Sequence, residues 1–137
     1  MKKFAFVGAF AAVLLAACAS GTPSGSDYAP AAAAPAMPLA MKGGMLVEGK
    51  GLTVYTFDKD VANSGKSACN GPCAVKWPPV LASANDKPQG AYTIVVRDDG
   101  RRQWAYRGKP VYTWPEDQEP GDKFGDNYMK VWHVVPQ

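Results

Sequence analysis

The sequence predicts a mainly β protein whose folded part is a single small antiparallel β-domain with internal duplication, over residues 39–137. Short segments rich in β-branched and aromatic residues alternate with clusters of Gly, Pro, Asp and Asn, a pattern typical of strands joined by tight turns. No stretch of about ten or more residues has the amphipathic pattern of a long helix. Around a hundred residues can form one modest hydrophobic core, so one domain is expected.

The segment before the domain begins as a signal peptide over residues 1–17. Lys2 and Lys3 form a basic start, and Phe4–Ala17 is uncharged and apolar but shorter than the roughly 20 residues that a spanning helix needs. The residues Leu15–Cys18 resemble the lipobox of bacterial lipoproteins. That resemblance implies cleavage before Cys18, a lipid such as palmitate on the modified cysteine, and attachment of the protein to a membrane through that lipid.

Residues 18–38 are predicted to form a flexible, disordered linker that follows the lipidated cysteine. They are mainly Ala, Ser, Gly and Pro, and they contain too few large apolar side chains to offset the entropy cost of ordering. Cys18 is followed by Ala19, whereas an Asp there would signal retention at the inner membrane. We therefore expect a lipid-anchored protein of the cell envelope, at the outer membrane and facing the periplasm.

The charge balance argues against a nucleic-acid partner. The chain has 15 Lys and Arg side chains against 12 Asp and Glu, but Lys2 and Lys3 belong to the signal peptide. The 13 basic side chains that remain nearly match the acidic ones and form no cluster. The electrostatic footprint of a nucleic-acid interface is therefore absent from the sequence.

The predicted strands follow one another through recognisable turns. The sequence Asp98–Gly100 is a hairpin signal, because Gly accepts a positive φ at low cost. Arg107–Lys109 is a second tight turn, and Pro72–Lys76 is a single helical turn with Pro at its first position. The five predicted strands are Leu52–Phe57, Tyr92–Arg97, Gln103–Tyr106, Val111–Trp114 and Val131–Val135.

The chain also contains a weak internal repeat, in which Val54–Asp60 matches Val111–Asp117. In a strand, the Tyr and the aromatic residue two positions later lie on one face, and Val and Thr lie on the other. The Asp that follows each strand is expected to satisfy backbone groups of the turn. Two such copies predict an internally duplicated β-domain.

The repeat carries a resemblance to a known family. The six motif positions are Tyr55, Phe57, Asp60, Tyr112, Trp114 and Asp117. They are similar to the motif of the bacterial lipoproteins with a Yx(FWY)xxD motif, also called secreted-repeat lipoproteins. That family's late segment is usually glycine-rich, whereas here it reads Gly125–Lys130. The resemblance implies an architecture and an envelope location, and it brings no agreed biochemical function. Other similar segments, in the same order, are Cys69–Ala74, Trp77–Pro79, Trp104–Pro110, Pro120–Asp122 and Val131–His133.

Cys69 and Cys73 remain as a pair once Cys18 carries lipid. Outside the cytoplasm the default for such a pair is a disulfide, and their spacing allows the Cα separation of about 5–6 Å that the bond prefers. The alternative is a copper-binding or redox site in which His133 joins the two thiolates. Structural zinc is less favoured, because it takes four ligands and the domain has one His. The primary expectation is no metal and no other cofactor.

Other chemistry has less support in the sequence. The acidic run Glu116–Asp122 offers oxygen ligands without EF-hand spacing, so a solvated loop with turn-forming Asp residues is favoured over a calcium site. The motifs of serine hydrolases, zinc proteases and phosphate-binding loops are missing from the sequence. We therefore expect that the protein is not an enzyme.

The domain is rich in aromatic side chains, most of which are expected in the core. Any that stay exposed beside Pro78 and Pro79 would form a surface of the kind that binds glycans, peptides or other envelope proteins. The sequence thus predicts a non-catalytic binding or envelope-accessory module, with the copper or redox protein as the alternative. The candidate binding surface is Trp77, Pro78, Pro79, Trp104 and Tyr106.

Overall fold

The computed structural model describes residues 37–137, which form a mainly antiparallel β structure and confirm the predicted fold class. The predicted signal peptide, the lipidation at Cys18 and nearly all of the predicted linker lie outside these residues. The elements are β1 (Leu39–Lys42), β2 (Met45–Glu48), β3 (Tyr55–Phe57), α1 (Pro72–Lys76), β4 (Tyr92–Val96), β5 (Arg102–Tyr106), β6 (Lys109–Pro110), a 3-10 helix (Tyr128–Lys130) and β7 (Trp132–Val134).

One hairpin and one three-stranded sheet provide most of the local pairing. β1 and β2 pair in antiparallel fashion across a turn at Gly43 and Gly44, and β4, β5 and β6 form a three-stranded sheet. The predicted hairpin turn between β4 and β5 is confirmed, with Gly100 at a φ of 83° and its N–H donating to the Arg97 carbonyl at 2.9 Å. The predicted helical turn is confirmed as α1.

The structure differs from the predicted strands at several places. Of the predicted strand Leu52–Phe57 only Tyr55–Phe57 forms, because Thr53 makes no more than an isolated bridge to Val47, and β6 was not predicted. Val111–Trp114 does not form a full strand but pairs only at Tyr112, which bridges to Tyr55 and Pro79. Because Pro78 and Pro79 have no N–H, the segment beside Tyr112 cannot complete a ladder. The hairpin of β1 and β2 was not predicted, since Leu39–Lys42 contains no β-branched or aromatic residue.

The two halves of the domain, residues 39–81 and 92–136, complete each other's pairing. β3 of the first half pairs with β7 of the second half and not with a strand of its own half. The Leu46 N–H donates to the Val135 carbonyl at 2.9 Å, and the Trp104 N–H donates to the Val80 carbonyl at 2.8 Å. The last segment of each half therefore pairs with a strand of the other half and completes its backbone hydrogen bonding.

Two hydrophobic clusters pack on opposite faces of the motif segments. Val54 and Val111 face the first cluster, which also contains Leu46 and Trp104. The motif aromatics face the second cluster, as the alternation of the sequence predicts. The second cluster consists of Tyr55, Phe57, Cys69, Trp77, Tyr112, Trp114 and Trp132.

Candidate functional site

The repeated motif forms two equivalent Tyr–Asp hydrogen bonds that cross between the two halves. Tyr55 Oη donates to Asp117 Oδ2 at 2.5 Å, and Tyr112 Oη donates to Asp60 Oδ2 at 2.7 Å. The two tyrosines also exchange backbone N–H···O=C bonds of 2.8 and 3.0 Å. Each motif therefore supplies the tyrosine that satisfies the aspartate of the other motif, and we refer to this arrangement as the Tyr–Asp clasp.

Each aspartate of the Tyr–Asp clasp also accepts a backbone N–H from its own half. Asp60 Oδ1 accepts from the Ala68 N–H at 2.6 Å, and Asp117 Oδ1 accepts from the Phe124 N–H at 2.9 Å. Each aspartate therefore does accept a backbone N–H, but the donors lie eight and seven residues further along the chain and not in the turn that directly follows the strand, as the sequence had predicted. The tyrosine partners were missed, because the spacing within one motif does not indicate a contact with the other.

Burial controls the protonation of the Tyr–Asp clasp. Burial raises the pKa of the Tyr55 and Tyr112 hydroxyls far above their ordinary value of 10.0, and the hydrogen bonds to Asp117 and Asp60 add to this effect. Burial also raises the pKa of Asp60 above 3.8, against the lowering effects of the Ala68 N–H and the Tyr112 hydroxyl. The hydroxyls therefore remain donors at neutral pH, and the arrangement holds the two halves together.

The predicted disulfide is present, with 5.2 Å between the Cα atoms of Cys69 and Cys73. Cys69 is fully buried in the second cluster, whereas Cys73 is partly exposed at the start of α1. The bond therefore ties the loop before α1 to the core and orients the helical turn that precedes Trp77.

A buried arginine holds this disulfide loop against the hairpin of β4 and β5. Arg97 is 2% exposed, and its Nη1 donates to Gln103 Oε1 at 2.6 Å and to Ser67 Oγ at 3.1 Å. Its Nη2 donates to the Cys69 carbonyl at 2.6 Å. The sequence predicts Arg97 only as the last residue of a strand. Its position two residues after Val95 puts both side chains on one face and is the signal for its burial.

Removal of the disulfide should lower stability modestly and leave the fold intact. In the double variant Cys69→Ala and Cys73→Ala, we expect the free energy of unfolding to fall by about 2 kcal/mol. The loss is modest because the loop closed by this disulfide is short and removes little entropy from the unfolded chain. Urea unfolding of the double variant and of the wild type measures this difference. The wild type purified without reductant should show no free thiol by mass spectrometry and no stoichiometric copper binding. A free dithiol that binds Cu(I), with loss of affinity in His133→Ala, would instead support the copper protein.

Stacked aromatic rings form the centre of the second cluster. The rings of Trp77 and Trp132 are parallel, with centroids 3.8 Å apart, and Phe57 stacks on the other face of Trp132 at 4.2 Å. Trp114 lies 4.4 Å from Trp77, and Tyr128 packs against both at 5.1 and 5.8 Å. This stack joins the halves, since Phe57 and Trp77 come from the first and the other rings from the second.

A surface groove of about 410 Å³, which we call the aromatic groove, opens above this stack. Buried Trp77 and Trp132 lie at its base, and exposed Lys59 and Lys76 lie at its edge. Lys76 Nζ contacts the Tyr128 hydroxyl and lies 4.4 Å from the Tyr128 ring centroid. The other lining residues are Phe57, Pro72, Cys73, Met129 and Val131.

One wall of the aromatic groove has an unusual backbone. Asn127, Met129 and Lys130 have φ values of 59°, 48° and 60°, in the left-handed region. Asn tolerates this region, but other residues with a Cβ pay about 1–2 kcal/mol there. Met129 is 75% exposed, so burial of its side chain does not offset that cost. These residues belong to Gly125–Lys130, the segment that is usually glycine-rich in the secreted-repeat lipoproteins that the chain resembles.

The candidate binding surface predicted from the sequence is not formed. Trp77 and Trp104 are 2% and 1% exposed, Tyr106 is buried, and Pro78 and Pro79 are partly buried. The physical reason is that the domain uses its largest apolar rings to fill two separate clusters, Trp104 and Tyr106 in one and Trp77 in the other. Of the five predicted residues, only Trp77 lines the aromatic groove.

The residues of the copper alternative are not brought together. Both sulfurs belong to the disulfide, and His133 Nε2 lies 3.0 Å from Asp58 Oδ2 on the protein surface. Within residues 37–137, no three His, Cys, Asp or Glu side chains are placed to hold a metal ion.

The acidic run serves local turns, as the favoured interpretation of the sequence predicts. Asp122 Oδ2 accepts the backbone N–H groups of Gln118 and Glu119, both at 3.0 Å. Asp117 is buried in the Tyr–Asp clasp, and Asp126 Oδ1 accepts the Val134 N–H at 3.0 Å. Asp122 therefore bonds to the backbone of the loop, Asp126 to the backbone of β7, and Asp117 to the Tyr–Asp clasp.

In the part of the chain that the structure describes, no helix has the length and apolar character needed to cross a membrane.

Comparison with known proteins assigns a family. No curated protein and no solved structure matches the chain. A family model described as a secreted repeat of unknown function matches twice, at residues 40–81 and 93–136, which confirms the internal duplication and indicates an extracellular or envelope location. The chain therefore belongs to this family of secreted repeats.

Proposed function

We propose that the protein is a lipid-anchored lipoprotein of the cell envelope, attached through Cys18 to the outer membrane and facing the periplasm. Its domain is a non-catalytic binding or accessory module that binds a partner in the aromatic groove. The lipobox-like residues Leu15–Cys18 and the short linker support the anchor, and the secreted family supports the location. A linker as long as residues 18–38 would let the domain contact other envelope components near the membrane.

The observation that carries the binding role is the exposure of apolar side chains around the aromatic groove. Met129 in the groove wall is 75% exposed, and Pro72 and Val131 line the same depression. Apolar side chains grouped at a concave surface are typical of interaction sites. The titratable residues of the repeated motif, by contrast, are buried and hydrogen-bonded in the Tyr–Asp clasp, which supports a non-catalytic role.

The covered faces of the indole rings favour a polypeptide over a glycan as the partner. A sugar ring that stacks on Trp needs a free aromatic face. Trp132 lies between Phe57 and Trp77, and the other side of Trp77 meets Trp114. The groove instead offers ring edges, Val131 and the flexible side chain of Met129, which adapt to inserted apolar side chains.

The anchor is tested by Cys18→Ser. We expect the wild type to fractionate with membranes, and Cys18→Ser to remain an uncleaved precursor or to appear in the soluble fraction, because acyl chains provide the only strong membrane attachment. Immunoblotting of separated inner-membrane, outer-membrane and soluble fractions measures this, with Ser24→Ala in the linker as the control. A cleaved Cys18→Ser protein that still fractionates with membranes would contradict the proposed anchor.

A further inference from the structure

The left-handed segment of the aromatic groove is the feature that the fold alone does not explain. Glycine adopts such φ values without steric cost, yet this chain has side chains at Asn127, Met129 and Lys130. Met129 and Lys130 are exposed and add nothing to the core. Strained backbone that persists beside a surface depression is typical of a site where side-chain presentation matters.

The charged side chains that line the aromatic groove are all positive. Lys59 and Lys76 line it, Lys130 follows the lining residue Met129, and none of the lining residues is acidic. The remaining lining atoms are mainly aromatic and aliphatic. A complementary ligand therefore combines a large apolar group, which would be removed from water in the groove, with carboxylates placed to meet the lysines.

We propose that the aromatic groove is a docking site for an acidic polypeptide segment. One large apolar side chain of that segment enters the groove beside Met129 and Val131, and flanking carboxylates pair with Lys59 and Lys76. The strained residue Met129 completes the wall of this site, and Lys130 follows it in the chain. The inference rests on the proposed binding role of the domain, and it is independent of the lipid anchor. A polypeptide is favoured over a membrane surface, because the depression is concave and fits an inserted side chain.

The test uses residues 18–137, produced without the signal peptide and carrying Cys18→Ser. This form has no lipid and needs no detergent. Three blocked peptides of equal length serve as probes: phenylalanine and leucine flanked by glutamates, the same peptide with lysines for glutamates, and the acidic peptide with alanines for the apolar residues. The quenching or shift of tryptophan fluorescence reports binding, because Trp77 and Trp132 lie at the base of the groove. We expect the acidic apolar peptide to bind at least tenfold tighter than the other two, and more weakly as salt increases.

The decisive variant is Met129→Gly. It removes a groove side chain from a left-handed position, so we expect an unchanged or raised melting temperature together with at least a tenfold loss of affinity for the acidic apolar peptide. Arg107→Gly is the matched control: Arg107 also has a positive φ, of 49°, but it packs on Tyr106 and does not line the groove. This control should bind like the wild type. Lys59→Gln should weaken binding without affecting stability.

Three outcomes would overturn the proposal. The first is equal or tighter binding of the basic apolar peptide; if Met129→Gly reduces that binding, the groove is a binding site but not for acidic segments. The second is wild-type affinity for the acidic apolar peptide in Met129→Gly. The third is binding of phosphatidylglycerol–phosphatidylethanolamine vesicles without binding of any peptide, which would indicate a membrane-facing surface. Failure of the anchor, in contrast, is detected only by the fractionation of Cys18→Ser.

Discussion

Tyr112→Ala is expected to lower the free energy of unfolding by about 3–5 kcal/mol, the cost of removing a large aromatic side chain from a core. Tyr112 is fully buried, and its hydroxyl bonds to Asp60 and lies 2.6 Å from Ser67 Oγ. The substitution therefore leaves a cavity and removes one hydrogen-bond partner from Asp60 Oδ2 and one from Ser67 Oγ, although Asp60 Oδ1 keeps the Ala68 N–H and Ser67 Oγ keeps Arg97 Nη1. The total free energy of unfolding of a domain of this size is about 5–15 kcal/mol. Urea unfolding, followed by tryptophan fluorescence and circular dichroism, measures the change.

Tyr112→Phe is the matched control, because it removes the hydroxyl and keeps the ring. We expect a smaller loss of about 1–3 kcal/mol, because Asp60 Oδ2 loses its donor while Asp60 Oδ1 keeps the Ala68 N–H. Tyr55→Phe should cost a similar amount, since Tyr55 has the equivalent partner Asp117. Tyr112→Ala with an unchanged unfolding midpoint would show that this residue is not part of the core.

A double-mutant cycle tests whether the tyrosines are exchanged between the halves. Tyr112→Phe should couple to Asp60→Asn by about 0.5–3 kcal/mol, as expected for residues in direct contact. The effects of Tyr55→Phe and Asp60→Asn on the free energy of unfolding should be closer to additive, because Tyr55 donates to Asp117 and not to Asp60. The opposite pattern would mean that each motif bonds within its own half.

Arg97→Met is expected to lower the free energy of unfolding by about 3 kcal/mol, since each buried acceptor that loses its donor costs about 1–3 kcal/mol. Methionine keeps an unbranched apolar stem but leaves Gln103 Oε1 and the Cys69 carbonyl without the guanidinium. Thermal and urea unfolding measure the loss. Arg97→Lys should recover only part of it, because an ammonium group cannot bond to these separated acceptors with the geometry of a guanidinium.

Arg101→Met is the matched control for the arginine. Arg101 lies on the same hairpin and pairs with Asp99 at 2.8 Å, but both side chains are about half exposed. Exposed ion pairs contribute about 0–1 kcal/mol, so this substitution should have little effect. Equal losses in Arg97→Met and Arg101→Met would show that the buried hydrogen bonds of Arg97 do not stabilise the disulfide loop.

Local sequence patterns predicted the parts of the fold that depend on neighbouring residues. The hairpin turn at Asp98–Gly100, the helical turn at Pro72–Lys76 and the burial of Tyr55 and Phe57 on one face all follow from turn chemistry or strand alternation. The disulfide followed from the spacing and the expected compartment of Cys69 and Cys73. The hairpin at residues 39–48 was missed because its first strand gains its stability from pairing and not from β-propensity.

The candidate site was harder to predict, because exposure is a property of the whole domain. Composition indicated that some aromatic rings could be exposed, and the predicted surface included Trp104 and Tyr106, which instead pack in the first cluster. The aromatic groove depends on the unusual backbone of Met129 and Lys130 and on the meeting of β3 with β7. Neither feature has a local signal strong enough to read from the chain.

The sequence by itself determined the duplicated β architecture, the motif positions, the cysteine pair and the strand faces, since each depends on residue type and short-range spacing. The tertiary structure alone decided that Tyr55 bonds to Asp117 and Tyr112 to Asp60, across the two halves. Two similar motifs offer chemically equivalent partners within and between the halves. Only the packing of β3 against β7, which brings distant residues together, selects the crossed pairs and places Met129 beside the stacked rings.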